Sequence, residues 1–397
     1  MPPFADELNQ RLAALREQGL WRELRRVDSA PGPRINIGGQ TLLNFSSNDY
    51  LGLTNHPALK EAAIKGIEKF GAGAGASRLV CGSLAPFHDL EEALADFKKT
   101  EAALTFSTGY AAALGTITAL VGKEDIIILD KLVHASIVDA AKLSGAKLRI
   151  FAHNDLEDLE DKLRWATSGS HPSSPITRHI LIITESIFSM DGDGAPLKEI
   201  VVLKEKYGAW LMVDEAHATG IIGTKGRGLA DELGVSSRIE IQMGTLGKAL
   251  GASGGFICGS RPLIDYLINR ARSFIFSTAP VPAAAAAAAA GIEVAQSAEG
   301  ETRRTQLRQL VSKLNSEIGN RHPAMPGAII PLLLGDENKA LAAASRLREN
   351  DFFVPAIRYP TVARGAARLR ITLTAAHSTD DVASLVRALE PIVNLVS

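Results

Sequence analysis

Seven short apolar runs predict the architecture of most of the chain: AALTF (102–106), DIIIL (125–129), KLRIF (147–151), HILIIT (179–184), WLMVD (210–214), IEIQM (239–243) and GGFICG (254–259). Each run is almost continuously apolar, whereas a strand with one face in water alternates apolar and polar residues. Segments with helical character separate most of the runs. This pattern is typical of a mostly parallel sheet covered by helices on both faces, so we predict a doubly wound α/β domain.

The regions on either side of these runs predict an N-terminal arm and a smaller second domain. A helix from Ala5 to Val27 and two short strand-like pieces form the arm, residues 1–50, and residues 51–285 form the large domain. An alanine run, Ala283 to Ala290, is interpreted as the hinge into an α+β domain, residues 286–397. In that domain we expect a helix over 301–320, a strand over 328–333, a helix over 336–350, and strands over 352–357 and 368–374. A final helix capped by Ser378 follows.

Composition excludes several classes of protein. The formal net charge is -1 with 22% charged residues, so the chain lacks the basic footprint of a nucleic-acid-binding protein. The two cysteines, Cys81 and Cys258, have neither disulfide-framework nor metal-ligand spacing, so no metal site is expected. The N-terminus is charged throughout, unlike a signal peptide, and no apolar stretch approaches the roughly 20 residues of a membrane helix. We expect a cytoplasmic enzyme that acts on small molecules.

The segment after WLMVD places a carboxylate, Asp214, at a strand end and an imidazole, His217, three residues later. The letters DEAH also occur where a strand-end carboxylate holds magnesium in nucleic-acid-remodelling ATPases. That interpretation requires a phosphate loop of the form GxxxxGK[ST], which the sequence lacks. A different site is therefore favoured.

The favoured site is one for pyridoxal 5'-phosphate (PLP). A buried aspartate there pairs with the protonated pyridine nitrogen and keeps the ring an electron sink. A lysine on a later strand loop should carry the cofactor as a Schiff base, and GTLGK (244–248) supplies Lys248. A lone loop lysine is usually solvated, but its pairing with Asp214 and His217 favours the catalytic role.

Other polar groups follow the predicted strands. Gly109 and Tyr110 begin a helix whose N–H groups and dipole suit a phosphate dianion, although an ordinary helix cap has the same pattern. His134 is placed to stack on a cofactor ring, or else is a capping histidine. A bidentate guanidinium is needed for an amino-acid carboxylate, and the candidates are Arg358, Arg368 and Arg370. At least one of the three is expected to be an ordinary surface arginine.

The assembled motifs resemble the α-oxoamine synthase family of fold-type-I, aspartate-aminotransferase-like PLP enzymes. They span nearly the whole chain: NFSSNDYLG (44–52), FAHND (151–155), SMDGD (189–193), VDEAH (213–217), GTLGK (244–248) and RLRITLTAAH (368–377). The resemblance implies catalytic roles for Lys248, His134, Asp214 and His217. It also implies further cofactor contacts at Gly109, Tyr110, Ser189, Thr245, Ser277 and Thr278, the last two reaching the partner subunit of a homodimer, and substrate contacts at Arg22, Asn48, Arg358 and Thr361.

The resemblance further implies decarboxylative transfer of an acyl group from a thioester to an amino acid. Lys248, once displaced by the amino acid, is the expected base for the α-proton. The closing LTAAH and the FAHND segment look most like members that use L-alanine and a pimeloyl thioester, carried on coenzyme A or acyl-carrier protein. Members that condense glycine or serine with other acyl thioesters stay open, because the catalytic core does not separate them. An ordinary aminotransferase is a further alternative, since it shares the fold and the lysine.

Overall fold

A computed structural model of the chain describes residues 2–168, 179–318 and 327–393. The first part forms α1 (Phe4–Glu17), β1 (Arg34–Ile37), β2 (Gln40–Asn44) and α2 (Pro57–Phe70). The expected extension of the first helix to Val27 is wrong. Gly19 adopts a positive φ of 66°, and Leu20 N donates to Leu15 O at 2.8 Å, which closes the helix there.

All seven apolar runs contribute strands to one sheet. From Ala85 to Ile275 the elements are α3 (Ala85–Lys98), β3 (Ala102–Phe106), α4 (Gly109–Leu120), β4 (Ile126–Asp130), α5 (Ala135–Ser144), β5 (Lys147–Phe151), α6 (Leu156–Thr167), β6 (Ile180–Glu185), α7 (Leu197–Tyr207), β7 (Trp210–Asp214), α8 (Leu229–Glu232), β8 (Ile241–Thr245), β9 (Gly255–Gly259), α9 (Arg261–Arg270) and α10 (Arg272–Ile275).

The strand order in this sheet is β3-β9-β8-β7-β6-β4-β5. Five consecutive strands, β8 to β5 in that order, pair in parallel, while β9 runs antiparallel to both β3 and β8. Every residue of β3, β4, β6 and β9 is buried, as expected for strands covered on both faces. The prediction of a mostly parallel, doubly covered sheet is confirmed.

The alanine run lies within one continuous helix, α11 (Pro282–Gln296), which packs against α2 and α3. The approach to α2 is close: a Cβ added at Gly66 would lie 3.1 Å from Ala283 Cα. Small side chains on both helices therefore permit the contact, and the run serves packing on the large domain. The domain boundaries near residues 50 and 285 stay a prediction.

The C-terminal part consists of α12 (Ala298–Glu317), β10 (Ile329–Gly335), α13 (Glu337–Glu349), β11 (Phe352–Phe353), β12 (Ala356–Ile357), β13 (Ala367–Thr372) and α14 (Thr379–Val393). The expected single strand over 352–357 is wrong, because β11 pairs with β2 and β12 pairs with β13. Pro355 lies between the two pieces and has no N–H to continue a ladder. The predicted cap of the last helix is present: Asp381 N donates to Ser378 Oγ at 3.1 Å, and Ser378 N to Asp381 Oδ2 at 2.8 Å.

The segment after the first helix is bound to this C-terminal part. β2 lies between β1 and β11 in a three-stranded sheet, and Thr372 N donates to Phe45 O at 2.8 Å. The N-terminal segment that ends at Phe45 is thereby hydrogen-bonded to the C-terminal part of the chain. In the described ranges, no helix combines the length and apolarity needed to cross a bilayer.

Candidate active site

The carboxyl ends of the parallel strands bring several predicted site residues to one edge of the sheet. β6, β7 and β8 are neighbours and end at Glu185, Asp214 and Thr245. Glu185 and Asp214 lie opposite each other in the register of β6 and β7. Lys248 follows in the loop between β8 and β9. Ligands of open α/β sheets bind at this kind of edge.

Lys248 lies within hydrogen-bond distance of the imidazole of the DEAH segment. Its Nζ is 2.8 Å from His217 Nε2. Burial lowers the pKa of Lys248 to about 8, although the carboxylates of Asp214 and Glu185 oppose the shift. A substantial fraction of the amine is therefore neutral in mildly alkaline solution, as a nucleophile or base requires.

The two glycines of the GTLGK segment (244–248) differ in how closely their neighbours pack. A Cβ at Gly244 would lie 2.3 Å from the Phe256 ring, so only glycine fits there. At Gly247 the nearest atom would be 3.6 Å away, which leaves room for a side chain. Internal packing against Phe256 thus requires a glycine at position 244.

Asp214 is a buried carboxylate at the tip of β7. One oxygen, Oδ1, accepts a hydrogen bond from Ala216 N at 2.9 Å. Burial raises the pKa of Asp214, while the neighbouring Lys248 acts in the opposite direction. A carboxylate held in this way gains most from a cationic partner that replaces the lost water.

The remaining residues of the DEAH segment divide between structure and site. The Glu215 carboxylate forms a fully buried ion pair with Lys98 of α3 and accepts from Ala230 N at 2.9 Å. It therefore ties the strand end to α3. His217 is buried beside Lys248, and burial lowers the pKa of His217 well below its usual value. Its imidazole is neutral.

His134 caps α5 and presents its ring at the same edge. Its Nδ1 accepts from Ser136 N at 3.2 Å and lies 2.8 Å from Ser136 Oγ. Partial burial lowers the pKa of His134, Asp214 opposes this shift, and Lys248 adds to it. With Nδ1 serving as an acceptor, the neutral ring carries its proton on Nε2 and can donate from there.

The start of α4 lies against β8 and β9. A Cβ at Gly255 would come within 2.6 Å of Gly109 N, and Gly109 itself faces Met243. Thr245 Oγ1 donates to Gly254 O at 3.0 Å and accepts from Gly247 N at 3.2 Å, which fixes the loop before Lys248.

Tyr110 lies in the first turn of α4. Its hydroxyl donates to Asp139 Oδ2 at 2.8 Å, which holds the side chain against α5. The 12-residue helix α4 packs against β8 and β9, and Gly109 in its first turn lies beside Gly255. Such a helix end favours an anion through its N–H groups and dipole.

The remaining cofactor candidates lie in two places. Ser189 is buried in the loop after β6, where its carbonyl accepts from Arg370 Nε at 2.7 Å. Ser277 and Thr278 follow α10, and Thr278 forms an antiparallel bridge with Ser77. These two residues are placed on the surface segment that joins α10 to α11.

The three candidate arginines have different surroundings. Arg368 is paired with Asp191 at 2.5 Å. Arg358 Nη2 donates to Trp21 O at 2.9 Å, and its Nη1 donates to Gly19 O. Arg370 alone among them contacts Asn48, with both Nη1 and Nη2 3.2 Å from Asn48 Oδ1.

The predicted substrate contacts therefore separate into two groups. Asn48 lies with Arg370 beside the His217 and Lys248 cluster. Arg22 Nη2 donates to Thr361 Oγ1 at 3.3 Å, and both residues line a cavity of about 450 Å³ together with Arg358. This second group lies between the N-terminal segment and the chain around β12.

The sequence alone assigns no function to three residues of the site region. Tyr50 is fully buried, with its hydroxyl 2.6 Å from His217 Nδ1. Glu185 is buried at the tip of β6, and its Oε1 has no hydrogen-bond partner. His153 bridges Asp130 and Asp193 at 3.0 and 2.8 Å. All three lie in or beside quoted motifs, but only the tertiary contacts reveal what they touch.

A separate cavity of about 740 Å³ lies near the opposite ends of β7 and β8, lined by Trp210, Ile241 and His179 among others. None of the predicted site residues lines it. Among the described residues, no group of three or more His, Cys, Asp or Glu side chains is arranged to hold a metal ion.

The sequence and the fold both match known proteins. The family model described as aminotransferase class I and II matches residues 40–389. An 8-amino-7-oxononanoate synthase from Herminiimonas arsenicoxydans is 45% identical over 391 residues, covering 97% of this chain and 98% of the relative.

Two solved structures extend the similarity. A serine palmitoyltransferase from S. paucimobilis, solved with bound PLP and myriocin, superposes with a TM-score of 0.89 at 30% identity and covers 98% of both chains. An 8-amino-7-oxononanoate synthase from Francisella tularensis has a TM-score of 0.73 at 30% identity, covering 89% of this chain and 98% of its own. The chain therefore belongs to the aminotransferase class I and II family and, within it, to the 8-amino-7-oxononanoate synthases.

Proposed function

We propose that this protein is a PLP-dependent acyltransferase that condenses L-alanine with a pimeloyl thioester. The products are 8-amino-7-oxononanoate, carbon dioxide and the free thiol, a step of biotin synthesis. The observation that carries the proposal is the cluster of Lys248, His217 and Asp214 at the carboxyl edge of the sheet, in a chain similar over its whole length to synthases of this name.

The residues at the site fit PLP. The amine of Lys248 would hold the cofactor aldehyde, the buried Asp214 carboxylate would pair with the ring nitrogen, and His217 would bind the ring 3-oxygen. His134 would stack on the ring, with Ser189 nearby. The phosphate would lie at the start of α4, held by Gly109, Tyr110 and Thr245. When bound, PLP supplies an electron sink for the charge left after the α-proton is removed.

Lys248 is the proposed base. When its Nζ is free, the amine would lie beside His217 in a partly desolvated site. Burial lowers the pKa of Lys248 to about 8, so a substantial fraction of the free amine would be unprotonated in mildly alkaline solution and able to accept the α-proton.

Arg370 is the proposed holder of the amino-acid carboxylate. The Asp191 carboxylate already neutralises Arg368, and backbone carbonyls occupy the guanidinium of Arg358. Arg370 makes no ion pair among the described residues, and with Asn48 it lies next to Tyr50 and His217. A guanidinium bound only by neutral acceptors retains its charge for a carboxylate.

The acyl donor is proposed to enter past Arg22, Arg358 and Thr361. These side chains line the cavity between the N-terminal segment and the chain around β12, and the positive charges of the two arginines suit an anionic donor. His134 can donate from Nε2 to the thioester carbonyl, which would stabilise the negative charge that develops there.

The active form is proposed to be a homodimer with shared sites. Large apolar side chains are exposed near the segment that carries Ser277 and Thr278, namely Ile64, Ile67, Leu79, Val80, Phe276 and Val281. Such a group of exposed apolar residues is typical of a subunit interface. Ser277 and Thr278 would then reach the phosphate bound by the partner subunit.

Two measurements test the proposal. Borohydride reduction of the protein with added PLP, followed by digestion and mass analysis, should place a phosphopyridoxyl group on Lys248; modification elsewhere would exclude the site. A thiol-release assay should then cross alanine, glycine and serine with pimeloyl, acetyl, succinyl and palmitoyl thioesters. We expect alanine with the pimeloyl donor to give the highest kcat/KM, and a preference for glycine with acetyl-CoA would contradict the substrate assignment.

A further inference from the structure

The hydroxyl of Tyr50 joins the two halves of the candidate site. It lies 2.6 Å from His217 Nδ1 and 3.2 Å from Asn48 Oδ1. On one side His217 Nε2 is 2.8 Å from Lys248 Nζ, and on the other Asn48 Oδ1 accepts from Arg370. An unbroken series of hydrogen bonds therefore runs from the lysine to the arginine.

The protons of Tyr50 and His217 can be distributed over this series of hydrogen bonds in two ways. Burial raises the pKa of Tyr50 to about 12, so the phenol keeps its single proton. Burial also lowers the pKa of His217 well below its usual value, so the ring carries one N–H. In the first arrangement Nδ1 donates to the Tyr50 oxygen, and Tyr50 donates to Asn48. In the second, Tyr50 donates to Nδ1, and the proton of His217 is on Nε2.

The ends of the series decide between the two arrangements. A Lys248 ammonium can only donate, which favours an unprotonated Nε2 and so the first arrangement. A neutral Lys248 amine can accept from Nε2–H, which permits the second. At the other end, the Arg370 guanidinium competes with Tyr50 for the lone pairs of Asn48 Oδ1. A carboxylate that draws Arg370 away would free Oδ1 for Tyr50 and favour the first arrangement.

We propose that Tyr50 is a positioning residue that transmits binding of a carboxylate at Arg370 to His217 by selecting which imidazole nitrogen carries the proton. In both arrangements Tyr50 carries one O–H and His217 carries one N–H. The two arrangements therefore interconvert by proton exchange with solvent, and the number of protons on the pair does not change. The coupling is reciprocal: a fixed tautomer of His217 changes carboxylate affinity by the same factor. The inference rests on the proposed function in that it takes Arg370 as the carboxylate site.

The test uses the full chain without cofactor and with 15N-labelled histidine, at pH 9, where most Lys248 amine is neutral. Propionate serves as the probe because it has the carboxylate and lacks the amine. His217→Asn assigns the His217 signals by their loss. In the wild-type protein, propionate should move the Nδ1 signal towards the protonated position and Nε2 towards the acceptor position. In Tyr50→Phe we expect the change to be at least threefold smaller.

A second variant keeps the test informative if Tyr50→Phe does not fold. Asn48→Leu retains the phenol and removes its alternative acceptor, so His217 should keep its proton on Nε2 with or without propionate. Arg370→Lys provides the binding control, and propionate affinity should fall at least tenfold in it.

The outcomes separate the inference from the proposed function. An equal change in Tyr50→Phe and wild type would mean that the carboxylate acts through space, and it would overturn the inference. Arg370-dependent binding with no change at His217 in the wild type would also overturn it. If the affinity for propionate is the same in Arg370→Lys and wild type, the assignment of Arg370 as the carboxylate site is refuted, and the inference with it. The proposed PLP site at Lys248 would be unaffected.

Discussion

At the scale of single residues, two carboxyl groups at neighbouring strand tips are both buried and both have a raised pKa. Glu185 and Asp214 are paired in the register of β6 and β7, and both are buried. Burial raises the pKa of Glu185 well above its usual value, and the Asp214 charge adds to this effect. Burial also raises the pKa of Asp214, while Lys248 and the hydrogen bond from Ala216 N oppose this shift. We therefore expect Asp214 to ionise more readily than Glu185 and to be the carboxylate that balances a buried cation.

Isosteric amide variants of these two residues should therefore differ. Asp214→Asn removes the charge proposed to pair with the ring nitrogen, and we expect kcat/KM to fall at least about 100-fold, equivalent to about 2.7 kcal/mol of transition-state stabilisation. Glu185→Gln replaces a carboxyl group whose pKa burial raises well above its usual value, and it should stay within about threefold of the wild type. Steady-state kinetics with alanine at pH 8 distinguishes them. Equal losses in both variants would contradict the assignment of charge.

At the scale of elements, His153 ties together the ends of two strands and a neighbouring loop. It follows β5 and lies between Asp130 at the end of β4 and Asp193 in the loop after β6. Burial lowers the pKa of His153, but the hydrogen bonds and charges of the two aspartates outweigh it and raise the pKa to about 10. The imidazolium therefore positions the loops that carry His134 and Ser189.

This clamp should make stability depend on pH in a defined window. Because the pKa of His153 is raised in the folded state, its contribution is fully present below the unfolded value near 6.5 and is lost as the pH rises through about 10. Solvent reaches part of the ring, so we expect about 1–2 kcal/mol and not the full value of the shift.

Urea unfolding of wild type and His153→Gln between pH 6 and pH 10.5 measures this contribution. The free-energy difference between the two proteins should be greatest near pH 6 and should shrink towards pH 10.5. A difference that is constant with pH would show that the histidine acts through packing alone.

At the scale of the whole molecule, the proposed dimer would complete each site with Ser277 and Thr278 from the partner. The exposed apolar side chains around this segment support that arrangement. Subunit mixing tests it, because a residue supplied by the partner can be complemented in trans whereas a residue of the same subunit cannot.

Lys248→Ala and Thr278→Asp subunits should each be nearly inactive alone. In a heterodimer, one site would combine an intact Lys248 with an intact Thr278 of the other subunit. Random mixing should thus restore about a quarter of the wild-type sites, since about half of the dimers are mixed and each has one good site.

The matched control mixes Lys248→Ala with Asp214→Asn. Both of these residues belong to the same subunit's site, so their mixed dimers should gain no activity. Thiol release after co-refolding at equal concentrations measures both mixtures. No recovery in the first mixture would show that Thr278 serves its own subunit.

Much of the large domain was predictable because its signals are local. Continuous apolar runs identify strands buried on both faces, and helical segments between them imply parallel neighbours. All seven runs contribute strands to the sheet. Local signals did not reveal that the apolar segment 352–357 is divided into β11, which pairs with β2, and β12, which pairs with β13. They also did not reveal that the first helix ends before Gly19.

By itself the sequence determined the sheet, the placement of Asp214 and Lys248 at strand ends, and the resemblance that names their chemistry, since motif spacing and apolar period are properties of the chain alone. Only the tertiary structure decided which arginine is free for a carboxylate, that Glu215 is structural, and that Tyr50 joins His217 to Asn48. The physical reason is that charge state and hydrogen-bond direction depend on burial and on partners hundreds of residues away, and neither is encoded in local spacing.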